Sequence, residues 1–155
     1  MLVLTFRILG VPYAIAVGRV VEVVPRVGLR ALPHAPEHLV GLLRYRGGAV
    51  PVVDLGLLMG AGACRDRLDT RLILVDAGVH GGTGLGYLAL VAEGVDEVRV
   101  VDESKRAAAG LVGIAGAPYL GEVYETDDGL LQMIDPSRIP AGSASIPLEP
   151  EAVAP

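Results

Sequence analysis

The sequence predicts an all-β protein, and three observations support this fold class. The apolar residues occur in short runs rich in valine, isoleucine and leucine, which are typical of strands. Turn signals containing glycine and proline separate these runs at short intervals. Helical stretches are few and short, namely Pro36–Leu39 and Asp54–Met59, the second ended by Gly60. Many short strands with regular turns favour a β-sandwich or a β-barrel.

The individual strands are predicted from the positions of these turns. Hairpins are indicated around Leu9-Gly10-Val11, Arg46-Gly47-Gly48 and Thr126-Asp127-Asp128-Gly129, and a further turn in the glycine-rich segment 80–84. The segment after Ile139 contains several prolines, so residues 140–155 are predicted to form a disordered tail. The predicted strands are Leu2–Ile8, Pro12–Val17, Val20–Val24, Leu39–Tyr45, Ala49–Val53, Leu72–Val75, Tyr87–Val91, Val95–Val101, Tyr119–Glu125 and Leu130–Ile134.

Composition and charge exclude several classes of protein. The 155 residues are 52% hydrophobic, but glycine or proline interrupts the uncharged stretches before they reach the roughly 20 residues of a spanning helix, so we expect no direct membrane insertion. The net charge of -5 argues against a nucleic-acid partner. Residues 1–75 hold nine arginines and five acidic residues, whereas residues 76–155 hold four basic and thirteen acidic residues. Such an asymmetry indicates either a surface for an acidic partner or two ordinary solvated faces.

Candidate chemical groups do not assemble into a catalytic set. His34, Glu37 and His38 fit the H-x-x-E-H spacing of one class of zinc hydrolase, but Pro36 disfavours the helix which that site needs. The single Cys64 excludes a disulfide framework within the chain and a cysteine-rich metal site, and it lies in no nucleophile motif. We therefore expect no catalytic residues, no metal and no cofactor, with the zinc hydrolase as the least favoured alternative.

The segment from Leu32 to Leu55 stands out by its spacing of special residues. Its prolines restrict the backbone, a glycine within a strand permits close packing, and a proline within a strand indicates an edge or a bulge. Arg46 is expected at a hairpin tip, where its guanidinium can reach a carboxylate or a partner. The residues that we single out as a structural motif are Pro33, Pro36, Gly41, Pro51 and Asp54.

In this segment the sequence resembles the CheW-like family, which comprises the chemotaxis coupling proteins and the matching regulatory domain of their histidine kinases. Segments at 2–6, 13–15, 20–23, 90–98, 119–121 and 129–135 resemble further parts of the family pattern in the same order, so the resemblance extends over residues 2–139. Arg44-Tyr45 stands where Asn-Leu is common, Glu93 stands where Asp is common, and Pro140 curtails the usual C-terminal helix. The matching residues are Leu32, Pro33, Ala35, Pro36, Gly41, Arg46, Gly47, Pro51, Val52, Asp54 and Leu55.

The resemblance implies one domain, residues 1–139, made of two interlocked five-stranded SH3-like β-barrels with short helices. It implies a cytoplasmic adaptor without enzymatic activity, recruited to membrane receptor arrays, that couples chemoreceptors (methyl-accepting chemotaxis proteins) to a CheA-type histidine kinase. The implied partners are the kinase regulatory domain and the cytoplasmic tip of the receptor. By position, Val20 and Glu22 fall in the receptor-binding region, and Arg46 falls at the position important for kinase control or complex formation. Gly47, beside Arg46 in the turn, completes the expected partner-binding residues. The alternative is a divergent scaffold for another output, such as surface motility or gene regulation.

Overall fold

The computed structural model describes residues 1–78, 86–107 and 116–140. The predicted turn at 80–84 and the predicted tail, except for Pro140, lie outside these ranges. The helical pieces are the short helix α1, Leu55–Leu58, and 3-10 turns at Val17–Arg19, Glu103–Lys105 and Pro136–Arg138. The strands are β1 (Leu2–Ile8), β2 (Val11–Ala16), β3 (Val20–Pro25), β4 (Leu39–Tyr45), β5 (Gly48–Asp54), β6 (Arg71–Asp76), β7 (Tyr87–Ala92), β8 (Val98–Val100), β9 (Leu120–Thr126) and β10 (Gly129–Ile134).

The strands form two five-stranded sheets, one inserted into the other along the chain. The first sheet has the order β8-β1-β2-β10-β9, and the second has the order β3-β6-β7-β5-β4. The chain therefore leaves the first sheet after β2, builds the whole second sheet from β3 to β7, and returns through β8. The predicted all-β class with two interlocked five-stranded units is confirmed.

Each sheet curls so that the segment after one edge strand reaches the opposite edge. In the second sheet, the chain after β3 forms a bridge to β4, in which Arg30 and Leu42 exchange backbone hydrogen bonds of 3.0 and 2.8 Å. In the first sheet, Arg106, after β8, forms a bridge to Tyr124 in β9. The Arg106 guanidinium also donates to a Glu122 carboxylate oxygen at 2.6 Å. Local bridges rather than full ladders thus bring the edges of each sheet together.

The two sheets share the larger of two hydrophobic clusters. Strand β1 contributes to both clusters because its successive side chains point to opposite faces. Leu4 and Phe6 pack into the shared cluster with residues of the second sheet such as Val52 and Leu90. Val3 instead packs into a small cluster inside the first sheet, with Tyr124 among its members. Most of the buried apolar side chains therefore belong to the cluster that the two sheets share.

Three predictions are wrong: one helix, the length of one strand, and the place of one proline in its sheet. Pro36–Leu39 is not a helix, because Leu39 already begins β4 and pairs with β5. The predicted strand Val95–Val101 is limited to β8, since the Val95 amide instead donates to the Asp69 carbonyl while the chain crosses between the sheets. Pro51 was expected at an edge or bulge, but β5 lies between β7 and β4. The ladder of β5 with β7 begins only at Val52, so the missing amide proton of Pro51 does not interrupt it.

The loop that leads into β6 is fixed by buried polar side chains. Within the described residues, the buried polar or charged side chains are those of Asp54, Thr70 and Glu93, and all three bind this loop. Asp54 accepts from the Cys64 amide, and Glu93 accepts from the Arg65 amide at 2.7 Å and from its guanidinium at 2.7 and 3.0 Å. Burying these groups is tolerated because they are hydrogen-bonded. The start of β6, against which β3 is registered, is thereby fixed.

The described helices include none long and apolar enough to cross a membrane.

Replacing Gly41 should disturb the bridge that joins the edges of the second sheet. A Cβ at this position would lie 2.7 Å from the Arg30 carbonyl oxygen and 2.9 Å from the Leu29 Cβ. We expect Gly41→Ala to lower the free energy of unfolding by about 1–3 kcal/mol, because overpacking must displace backbone. Chemical denaturation measures the change. Gly18→Ala is the control, since nothing lies within 4 Å of a Cβ there; equal losses in the two variants would contradict the account.

The contribution of Glu93 to stability should depend on pH. Burial raises the pKa of the Glu93 carboxyl, but the Arg65 guanidinium and amide outweigh burial and hold this pKa below its ordinary value. A depressed folded-state pKa stabilises the fold above the unfolded-state pKa, and this contribution is lost as the pH falls through the folded-state pKa. We expect Glu93→Gln to lower the free energy of unfolding at neutral pH by about 1–3 kcal/mol.

The deficit of Glu93→Gln relative to the unsubstituted chain should shrink as the pH is lowered below about 4, where the carboxylate becomes protonated. Thermal or urea unfolding at a series of pH values measures this. Glu97→Gln serves as the matched control, because its side chain is 61% exposed and it pairs with Arg99 only at 4.0 Å. A deficit of Glu93→Gln that is independent of pH would show that the lost charge is not the cause.

Candidate functional site

The hairpin between β4 and β5 presents Arg46 to solvent. The strands end at Tyr45 and resume at Gly48, so Arg46-Gly47 forms a two-residue turn. Both residues have positive φ, +48° for Arg46 and +79° for Gly47, as tight hairpins with the usual strand twist require. Glycine adopts this conformation without steric cost, and the Gly47 surroundings are open. The Arg46 side chain is 73% exposed and available for contacts at the tip.

Three side chains converge at this tip, and we call Glu22, Tyr45 and Arg46 the hairpin-tip cluster. The Arg46 Nη2 atom lies 3.6 Å from Glu22 Oε1. The Tyr45 hydroxyl donates to the same carboxylate oxygen at 3.4 Å. The Arg46 Cζ atom lies 5.0 Å from the centroid of the Tyr45 ring, within the range of a cation–π interaction. The cluster combines an exposed cation, an aromatic ring and an anion.

Strand β3 brings Glu22 to this tip and fixes Val20 beside the core. Val20 pairs with Val75 on β6 and Glu22 pairs with Leu74, so the register shifts between them and Val21 has no partner of its own. Bulges of this kind re-aim neighbouring side chains. Val20 is half-buried and packs against the shared cluster. Of the predicted partner-binding residues, Glu22 and Arg46 are therefore in direct contact, Gly47 shapes the turn, and Val20 anchors the strand.

The residues of the predicted structural motif lie within β4 and β5, as Gly41, Pro51 and Asp54 do, or in the connection before β4, as Pro33 and Pro36 do. Pro33 and Pro36 flank a turn in which His34 has a φ of +63°. Gly41 permits the close approach of the chain after β3, as described above. Asp54 caps α1, because its carboxylate accepts from the Leu57 amide at 3.1 Å, and it also binds the following loop. These residues shape the connections that surround β4 and β5.

The chemical alternatives find little support in the geometry. In the described part of the chain, no three His, Cys, Asp or Glu side chains are grouped so as to hold a metal ion. His38 Nε2 lies 2.7 Å from the Pro140 carbonyl oxygen instead. Cys64 is buried, its thiol donates to the Val91 carbonyl, and burial together with the Asp54 carboxylate raises its pKa to about 12. Such a thiol stays protonated at neutral pH and is a poor nucleophile.

Tyr45 is the member of the cluster that sequence reasoning missed. It is visible in the sequence only as a departure from the CheW-like pattern, with no role assigned. Its partner Glu22 lies 23 residues away in the chain, and no periodicity or local motif connects the two positions. They lie on β3 and β4, the two edge strands of the second sheet, so only the curl of that sheet, closed by the bridge between Arg30 and Leu42, brings them together.

Comparison with known proteins agrees with this architecture. The CheW-like domain family matches residues 2–142. A chemotaxis protein CheW from Helicobacter pylori is 32% identical over 63 residues, which cover 41% of this chain and 38% of that protein. The chain thus aligns with well under two thirds of the length of this curated relative. The crystal structure of the scaffolding protein TtCheW from Thermoanaerobacter tengcongensis superposes with a TM-score of 0.73 at 28% identity, covering 86% of this chain and 82% of that one.

The resemblance found in the sequence is therefore confirmed over most of the chain, and the interlocked pair of five-stranded sheets is shared with a solved scaffolding protein. The chain belongs to the CheW-like domain family.

Proposed function

We propose that this chain is an adaptor that couples the cytoplasmic tips of chemoreceptors to the regulatory domain of a CheA-type histidine kinase. It acts in the cytoplasm and is recruited to membrane receptor arrays through these contacts. It performs no chemistry itself, and it controls the kinase through assembly. The observation that carries the proposal is the family match over residues 2–142 together with the contact between Glu22 and Arg46.

The contact supports the proposal because it joins two regions that the family pattern assigns to different tasks. By resemblance, Glu22 falls in the receptor-binding region and Arg46 at the position important for kinase control or complex formation. Their charged groups are 3.6 Å apart, so an event that displaces either side chain changes the surroundings of the other. A surface of this kind suits a protein that passes information between two partners.

The two-sheet architecture supports a helix-in-groove contact with the receptor. The two sheets pack on a shared cluster, and the family resemblance implies a groove between them that would receive the helical receptor tip. An amphipathic helix binds a groove through apolar residues spaced three or four apart. The kinase regulatory domain, which belongs to the same family by resemblance, would contact one end of a sheet. These are the partners that we propose for the chain.

The output served by the adaptor is a separate question from its partners. Arg44-Tyr45 and the curtailed C-terminal helix motivate the alternative of a scaffold for surface motility or gene regulation. Genes for pilus or gliding components beside this one would favour that alternative, whereas flagellar genes would favour swimming.

Direct binding tests the proposed function. The purified chain is titrated, in separate calorimetric experiments, with a receptor cytoplasmic tip and with a kinase regulatory domain from the same genome. Saturable binding to both is expected. A folded chain that binds neither probe would refute the proposal.

Arg46→Ala should weaken binding and leave the fold intact. The side chain is 73% exposed and contributes little to the core. We expect a loss of about five- to tenfold in affinity for at least one of the two probes, as for an interface residue whose truncation costs about 1 kcal/mol.

Arg44→Ala is the matched control for this variant, because it removes another exposed guanidinium on the same hairpin. Circular dichroism and thermal unfolding verify that both variants fold. Unchanged affinity of Arg46→Ala for both probes, or unfolding of that variant alone, would contradict the assigned role.

A further inference from the structure

Tyr45 is the one member of the hairpin-tip cluster whose position is fixed by the core. It is the last residue of β4, pairs with Gly48 across the turn, and its half-buried ring packs against the shared cluster. Arg46, by contrast, leaves the strand at a φ of +48° and extends into solvent. The ring therefore provides a fixed platform beside a long, exposed side chain.

Two contacts from Tyr45 act on the same pair of charges. Its ring faces the Arg46 guanidinium, with 5.0 Å between Cζ and the ring centroid. Its hydroxyl donates to Glu22 Oε1 at 3.4 Å, the same oxygen that Arg46 Nη2 approaches at 3.6 Å. Removing the ring would leave both charged side chains free to sample other rotamers, which costs entropy when a partner binds.

The pairing of Arg46 with Glu22 is loose, which leaves the guanidinium able to bind a partner. Charge-assisted hydrogen bonds between a guanidinium and a carboxylate measure about 2.7–2.9 Å, whereas this contact is 3.6 Å. The planar fork of an arginine presents five N–H donors and suits a carboxylate in bidentate geometry. Its neighbours thus orient the Arg46 side chain and leave N–H donors of the guanidinium available to a partner.

We propose that Tyr45 is a positioning and specificity-determining residue, which holds the Arg46 guanidinium against its ring so that the fork meets a carboxylate of the protein partner. This inference rests on the proposed function and adds to it the chemistry of the contact. Leucine, which is common at this position in the family pattern, has neither a ring face for the guanidinium nor a hydroxyl for Glu22. A chain with Tyr45 therefore selects partners that place a carboxylate at this tip.

A double-mutant cycle tests the inference. Tyr45→Leu and Tyr45→Phe are prepared in the full chain, each alone and combined with Arg46→Ala, and all are titrated with the kinase regulatory domain and with the receptor tip. We expect Tyr45→Leu to lose about two- to fivefold in affinity for the partner that contacts Arg46, the range of an exposed cation–π contact. The same substitution should cost nothing further once Arg46 is alanine, because the two effects are coupled.

Tyr45→Phe is the conservative control, because it keeps the ring and loses only the hydroxyl. Its affinity should stay within about twofold of the unsubstituted chain, since the 3.4 Å hydroxyl contact is long for a hydrogen bond. NMR of the free chain supplies a readout that needs no partner. The Arg46 side-chain protons should show an upfield ring-current shift in the unsubstituted chain and in Tyr45→Phe, and this shift should disappear in Tyr45→Leu.

The outcomes separate this inference from the proposed function. If the unsubstituted chain binds both probes but the losses from Tyr45→Leu and Arg46→Ala are additive, or the Arg46 resonances do not respond to Tyr45→Leu, the role of Tyr45 is overturned and the adaptor function stands. If the unsubstituted, folded chain binds neither probe, the adaptor function is refuted and the inference falls with it.

Discussion

The structure depends on one hydrophobic cluster that two sheets share. Phe6 and Ile15 of the first sheet are 1% and 0% exposed, and they pack into the same cluster as the interior strands of the second sheet. Burying side chains of this size contributes about 1.5–3 kcal/mol each. Because the second sheet is inserted between β2 and β8, the first sheet is completed only when the chain returns after β7. The shared cluster thus makes the two sheets interdependent in folding.

The shared cluster also fixes the geometry of the hairpin tip. It does so through the pairing of strands, because the tip itself is exposed. The buried carboxylates of Asp54 and Glu93 fix the loop before β6, the ladder with β6 fixes β3, and β3 carries Glu22 to Arg46. The bridge of Arg30 to Leu42, which the absence of a side chain at Gly41 permits, brings the chain after β3 back to β4. An exposed site with weak individual contacts therefore keeps a defined geometry, because each supporting strand is anchored in the core.

The sequence predicted those features that short-range chemistry determines. Apolar runs and turn residues predicted the strands, and Asp54 preceded the short helix that it caps. The helix predicted at Pro36–Leu39 was wrong because pairing with β5 outweighed the local signal of a proline at a first helical position. The contact of Tyr45 with Glu22 was beyond prediction, since it depends on the curl that brings the two edge strands of the second sheet together and on a register shift within β3. The charges of Glu22 and Arg46 did not predict the cluster either, because the sequence relates these two residues only as separate positions of a family pattern.

The central claim is that one chain binds a receptor tip and a kinase regulatory domain together. Analytical ultracentrifugation of the full chain with both fragments, each carrying a different absorbing label, tests this most directly. With all three components present, we expect a single sedimenting species that contains all of them. When any one component is left out, we expect no species larger than a binary complex. Displacement of one fragment by the other, at concentrations where each alone saturates the chain, would contradict the claim and would show that the two partners compete for one surface.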